Sequence, residues 1–277
     1  MNSLVALDTT IRSRTVFISD VHLGFPGCSA EFLCDFLDRV ECETLYLVGD
    51  IFDFWYMKRR RYWPKAHGEV VHKLMKKARH GTRVIFVPGN HDEVVRAYDG
   101  MDMGCIEIHD RIIHETADGR RMLVLHGDQF DSVVRCSPWL AKIGCVAYGA
   151  LLQLNIFLNG FRRVFGLGYW SLAAFLKNKV KNAVKYISSF EDAVVRAAAE
   201  DGVDGVVCGH IHRAEISQVN DILYMNCGDW VESCTALIEK QDGSIELLQW
   251  RDRAERLKVH AAKPRKATGG LVGDLAA

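Results

Sequence analysis

Residues 15–22 read TVFISDVH, a β-branched and aromatic run that ends in a carboxylate, with a histidine two positions further on. Such a run predicts a short buried strand over 15–20, with its chemically active side chains where the strand gives out. The pattern recurs. Residues 44–48 (TLYLV) lead into Gly49-Asp50, and 83–87 (RVIFV) into Pro88-Gly89-Asn90-His91-Asp92. Residues 122–125 (MLVL) lead into His126-Gly127-Asp128, and 205–208 (GVVC) into Gly209-His210-Ile211-His212. Between the strands lie segments of helical spacing: 31–40, with Phe32, Phe36, Leu37 and Val40, and a basic stretch 64–80 that Gly81 is placed to cap. Strands that alternate with helices and close on Gly beside Asp, Asn or His predict an α/β sheet with its site at the strand ends. Residues 215–250 read instead as strands joined by tight turns, including Gln241-Asp242-Gly243.

A chain of 277 residues, 49% hydrophobic and 25% charged, has room for one sizeable α/β domain carrying an insertion. Lys+Arg and Asp+Glu both number 35, so net charge does not point to a polyanionic partner. The nine cysteines are scattered and none falls at C-x-x-C spacing, so they read as free thiols packed as small hydrophobes in a reducing compartment. Residues 1–14 lack a basic start followed by an apolar run, which predicts a cytoplasmic location. The Ala-, Lys- and Gly-rich segment 258–277 has no apolar periodicity and is expected to be disordered.

One region breaks the rhythm. Residues 132–190 contain no Asp or Glu, yet carry Arg135, Lys142, Arg162, Arg163, Lys177, Lys179, Lys181 and Lys185. The same region holds the uncharged run 143–161, about as long as a bilayer is thick. A membrane span there would put the two halves of one motif set on opposite sides of the membrane, so a helical cap inserted into the catalytic domain is expected instead. The expected organisation is a catalytic domain over 1–131 and 191–257 with a cap over 132–190.

Each short motif is weak alone, because a lone His after a strand is usually structural. Their order carries the signal: D-x-H, G-D, G-N-H-D, H-G-D and G-H-x-H, each after an apolar run. On an extended backbone side chains two apart point the same way, so Asp20 and His22 are expected to share one ion, and His210 and His212 form a second such pair. The Asp50 carboxylate has two oxygens and can bridge two cations, and Asn90 offers an amide oxygen. Oxygen and imidazole donors together suit manganese, iron or zinc.

These residues in this order resemble the calcineurin-like metallophosphoesterase superfamily over about residues 15–238. The resemblance implies a four-layer β-sandwich flanked by helices, with a two-metal centre at the strand ends. It implies one divalent ion on Asp20, His22, Asp50 and His212, and another on Asp50, Asn90, His126 and His210. Such a pair of ions activates water near neutral pH for in-line attack on phosphorus. His91 resembles the superfamily's catalytic His that protonates or stabilises the leaving oxygen. Asp92 is placed either to orient His91 or to cap the next helix.

The segments GDIFDFW (49–55), HGDQFD (126–131), GHIHRAE (209–215) and NCGDW (226–230) are similar to those of one branch, the UDP-2,3-diacylglucosamine pyrophosphatases of lipid A biosynthesis. That branch implies manganese, a UDP-linked glycolipid substrate cleaved to UMP and a lipid monophosphate, and a cytoplasmic life peripheral to the inner membrane. Where that branch typically carries Arg, this chain has His91, as in the wider superfamily. The basic, acid-free insertion fits a cap that encloses acyl chains and meets a membrane surface. The enzyme alternative is a phosphatase or phosphodiesterase of the same superfamily with another phosphorylated substrate. No nucleic-acid partner is expected, because positive charge gathers in the apolar insertion and in Lys58-Arg59-Arg60-Arg61 rather than around the motifs. A non-catalytic binding scaffold should lack a ligand or the catalytic His, and none is missing.

Overall fold

The computed structural model describes residues 10–132 and 172–253, the side chains of 132 and 172–185 excepted. The apolar run 143–161, most of the expected cap and the tail 258–277 lie outside the described residues.

Strand alternation explains the layers. In β1 (Ile11–Ile18), Val16 and Ile18 take one face and Phe17 the other. In β2 (Val40–Val48), Leu45 and Leu47 oppose Tyr46 and Val48; in β3 (Arg83–Val87), Val84 and Phe86 oppose Ile85 and Val87. All of these are buried, so each strand is apolar on both faces and needs covering on both. With β4 (Ile106–Ile108), β10 (Thr235–Glu239) and β11 (Ile245–Gln249) they form a six-stranded sheet, ordered β11-β10-β1-β2-β3-β4. A five-stranded sheet, ordered β5-β6-β7-β9-β8, is built from β5 (Arg111–Glu115), β6 (Arg121–Leu125), β7 (Gly205–Cys208), β8 (Glu215–Val219) and β9 (Ile222–Asn226).

The two sheets face each other. Phe17, Tyr46, Val48, Ile85 and Val87 meet Met122, Val124, Val207 and Met225 in one shared core. The outer face of the six-stranded sheet is covered by α1 (Ala30–Arg39) and α3 (Lys65–Arg79) through Leu33, Phe36, Val70 and Leu74. Between these helices in sequence lies the short α2 (Phe54–Arg59). Helix α4 (Leu172–Glu200) covers the outer face of the five-stranded sheet through Phe190, Val194 and Ala198. This is the four-layer α/β arrangement. Helix α4 runs unbroken through 190/191, the expected cap boundary, and both Tyr186 and Phe190 belong to the core under the five-stranded sheet. Among the described residues no helix is long and apolar enough to cross a membrane.

Strands β1, β2 and β3 run parallel, as do β6, β7 and β9. Their carboxyl ends therefore gather the loops of the five motifs at one edge of each sheet. Away from those loops a buried polar network ties the sheets together. The Glu239 carboxylate of β10 accepts from His114 Nε2 of β5 (2.9 Å), from Arg14 Nη1 (2.6 Å) and from the Ala117 N–H (2.8 Å). The Tyr46 hydroxyl of β2 lies 3.2 Å from His114 Nδ1. With Nε2–H on the carboxylate, Nδ1 is left to accept from Tyr46.

These partners outweigh the opposing effect of burial and hold the Glu239 carboxyl down, to about 2 against an ordinary 4.5. Its contribution to stability is therefore present above pH 4.5 and lost as pH falls towards 2. Glu239→Gln is expected to lower the unfolding free energy at neutral pH by about 2–4 kcal/mol, read by urea denaturation. The gap from wild type should shrink as the medium is acidified through that window.

Candidate metal centre

The loop after β1 is zipped to the loop after β2. The Asp20 N–H donates to Gly49 O (3.0 Å), His22 to Asp50 O (2.9 Å) and Leu23 to Ile51 O (2.8 Å). Within this pairing Asp20, His22 and Asp50 adopt left-handed backbone, with φ of 51°, 55° and 54°. In the loop after β7, His210 and His212 do the same, at 70° and 54°. Each such residue costs on the order of 1–2 kcal/mol, and Asp and His are among the types that tolerate it. This corrects the expectation of simple strand alternation. Asp20 and His22 meet because a kinked loop past the end of β1 carries them, and His210 and His212, two apart, go to different clusters.

Three groups of side chains bring donor atoms within 4.8 Å of one another: Asp20, His22 and His212; His22, Asp50 and His91; and Asp50, His126 and His210. Asp50 joins them. Its Oδ2 lies 3.8 Å from His22 Nε2, 3.5 Å from His126 Nε2 and 4.0 Å from His91 Nε2. The close approach depends on two glycines. A Cβ on Gly49, whose φ is +75°, would sit 2.1 Å from the His126 ring. One on Gly89 would sit 2.3 Å from Asp50 Oδ1.

The donor set fits cations. Asn90 Oδ1 is buried and makes no hydrogen bond among the described residues, a costly state for a polar atom unless a metal satisfies it, while Asp20 Oδ1 and His126 Nε2, buried too, face other members of the same clusters, His212 Nε2 at 3.0 Å and Asp50 Oδ2 at 3.5 Å. His22 Nε2 and His212 Nε2 stand 3.4 Å apart, each facing the other as a ring nitrogen that a shared ion can take up. Three other ring nitrogens are held from behind. His126 Nδ1 is 3.1 Å from Val48 O, His22 Nδ1 is 3.3 Å from Asp53 Oδ2, and His210 Nε2 is 2.8 Å from Asp131 Oδ1. Partners of this kind fix a ligand's tautomer and orientation.

The electrostatics agree. Burial opposes ionisation of Asp20 and Asp50, yet His212 and His126 hold the Asp20 carboxyl well below the usual range, and His126, His22 and His91 do the same for Asp50. His126 is raised by Asp50 and Asp20 against the effect of its own burial. A pocket that keeps buried carboxylates ionised is a pocket that calls for positive charge.

Asp92 serves differently from either expectation. Its buried carboxylate accepts the N–H groups of Gly89 (2.6 Å), Ile51 (2.7 Å), Phe52 (3.1 Å) and Asp50 (3.3 Å), tying the loop after β3 to the loop after β2. It makes no side-chain cap on the 3-10 turn Glu93–Tyr98. Burial pushes this carboxyl up to about 6, the charge of Asp50 adding to the effect and the Gly89 and Phe52 N–H groups opposing it. The residue that meets the His91 ring is Asp53, whose Oδ1 is 3.0 Å from His91 Nδ1. Burial opposes its ionisation, but His22 and His91 hold the Asp53 carboxyl low. Asp53 and Asp131 were not singled out in the sequence. Both stand inside quoted segments, GDIFDFW and HGDQFD, as second carboxylates three residues after the first, and that spacing was the available signal.

A family model described as calcineurin-like phosphoesterase matches residues 13–214, which takes in all five motifs. The chain belongs to the calcineurin-like phosphoesterase family. It is a metal-dependent phosphoester hydrolase. Curated relatives of this phosphoesterase include the UDP-2,3-diacylglucosamine hydrolase of Photorhabdus laumondii, 25% identical over 74% of this chain and 84% of that protein. The enzyme of the same name from Haemophilus influenzae is 26% identical over 84% of this chain and 97% of that protein. Among solved structures, the phosphoesterase Yfce of E. coli gives a TM-score of 0.41 at 15% identity, over 85% of this chain and 98% of that one.

Asp50→Ala is expected to abolish metal binding, whereas Asp53→Ala should weaken affinity about 10–100-fold by releasing His22. Metal content after desalting, read by elemental mass spectrometry across a titration, separates the two.

Proposed function

We propose that the chain cleaves the diphosphate of a UDP-2,3-diacylglucosamine-type glycolipid, giving UMP and a lipid monophosphate, at a two-metal centre loaded with manganese. One ion would be held by Asp20, His22, Asp50 and His212, and the other by Asp50, Asn90, His126 and His210. The observation that carries the two-metal reading is the position of Asp50 Oδ2, within 4.0 Å of histidine nitrogens on both sides, with a buried Asn90 oxygen that makes no hydrogen bond among the described residues on the neighbouring loop. The substrate reading is supported by the relatives that bear this activity in their names and extend over most of the chain. The motif segments quoted above support it too.

When bound, the two cations supply Lewis acidity toward the phosphoryl oxygens and make water a nucleophile near neutral pH. The chain's own residues do the rest. Asp53, held ionised, stands with Oδ1 3.0 Å from His91 Nδ1 and steadies the ring by charge so that Nε2 faces the site. His91 is thereby placed to protonate or stabilise the departing oxygen. Asp92 keeps the loops bearing Asp50 and Asn90 in register. Arg96 performs the same service for the third and fourth motifs, donating to Asp128 Oδ1 (2.6 Å) and to Pro88 O (3.2 Å). The proposed cap, ending before Tyr186 because Tyr186 and Phe190 belong to the core under the five-stranded sheet, would enclose the acyl chains, and the enzyme would work in the cytoplasm against the inner membrane.

Release of UMP from UDP-2,3-diacylglucosamine in the presence of manganese tests the substrate, and turnover is expected. Turnover of a soluble phosphodiester with no UMP release would favour a phosphatase or phosphodiesterase of another substrate class. On any substrate, His91→Ala should slow turnover about 10²–10⁴-fold with both metals retained. Metal loss equal to that of Asp50→Ala would contradict its assigned role.

A further inference from the structure

Beside the metal centre, and not away from the motifs as expected from the sequence, the segment from α2 to the start of α3 carries charge of one sign. Between Asp53 and Glu69 there is no carboxylate, while Lys58, Arg59, Arg60, Arg61 and Lys65 are all exposed. Among the described residues, no carboxylate pairs with any of the four consecutive cations Lys58 to Arg61, although elsewhere on the surface arginines such as Arg83 and Arg111 find one. An unpaired basic run on a neutral protein is a local field without a partner in the fold.

Large aromatic side chains stand in the same surface. Trp55, Tyr62 and Trp63 are 43%, 36% and 47% exposed. Their rings are nevertheless anchored. Trp63 stacks on Phe52 at an interplanar angle of 11°, and both Tyr62 and Trp63 set an edge against His67, whose Nδ1 accepts from the Gly24 N–H at 2.9 Å. Trp55 lies 4.4 Å from the His91 ring, so this surface begins where the site ends.

We infer that the α2 segment is a docking surface for an anionic lipid bilayer, its cations meeting headgroup phosphates while Trp55, Tyr62 and Trp63 enter the interfacial region. Bound this way, the membrane lies against the mouth of the metal centre, and a lipid-linked diphosphate reaches His91 without leaving the surface. The choice of a bilayer over another polyanion rests on the substrate reading above.

The test is cosedimentation of the full-length protein with vesicles of phosphatidylcholine, alone or mixed with phosphatidylglycerol, at low ionic strength. Each neutralised cation should lower partitioning about fivefold, so R60Q/R61Q is expected to lose about 25-fold on the anionic vesicles. The charge-matched K76Q/R79Q on α3 should lose less than about twofold, and hydrolysis of a soluble chromogenic phosphodiester should be unchanged in both variants. Equal loss in the two variants, wild-type partitioning of R60Q/R61Q, or equal binding to neutral and anionic vesicles would overturn the docking surface. So would a single-stranded oligonucleotide that binds more tightly than the vesicles and alone senses R60Q/R61Q. Vesicle binding is read without substrate. Loss of binding in R60Q/R61Q alongside a failed UMP assay would therefore uphold the surface while removing the substrate.

Discussion

The carboxylate of Asp50 is the group on which the site's arrangement depends. It is buried, it is held ionised, and one of its oxygens lies between histidines drawn from both sheets. A buried charge of this kind is costly unless it is paired. The surrounding structure is organised to pair it. Gly49 and Gly89 leave room for the approach, Asp92 locks the two loops by four backbone hydrogen bonds, and five Asp and His residues accept left-handed backbone to face inward. Strain concentrated at the expected ligand positions, and offset by the packing of two sheets and three helices, is what a preorganised cation site requires.

Much of this was legible in the sequence. Short runs whose consecutive positions are apolar, such as VFI (16–18) and VIFV (84–87), are what strands covered on both faces look like, and each was followed by its motif. Six of the seven expected ligands fall in the three donor clusters, and the seventh, Asn90, has a buried oxygen that makes no hydrogen bond among the described residues. The hairpin turn at Asp242-Gly243 also stands where the sequence placed it. The left-handed backbone at these Asp and His positions left no trace beyond residue type, so Asp20 and His22 fall in one cluster, but not by the strand alternation that predicted their pairing.

The supporting carboxylates were harder to see. Asp53 holds His91 and His22, and Asp131 joins His210 to Tyr186 of α4, yet a side chain that acts through another residue carries no motif of its own. Helix α2 was missed because its opening Phe-Trp-Tyr reads as strand by propensity, and Asp53, accepting the Tyr56 N–H at 2.7 Å, caps it instead. Strand β4 is three residues long and shows no period at all.

The central claim is that two cations share Asp50. Electron paramagnetic resonance of the manganese-loaded protein addresses it directly, because ions bridged by one carboxylate a few ångströms apart couple magnetically. The account predicts an exchange-coupled spectrum in the wild-type protein once both positions are filled. A signal of isolated, uncoupled ions at saturation would contradict it.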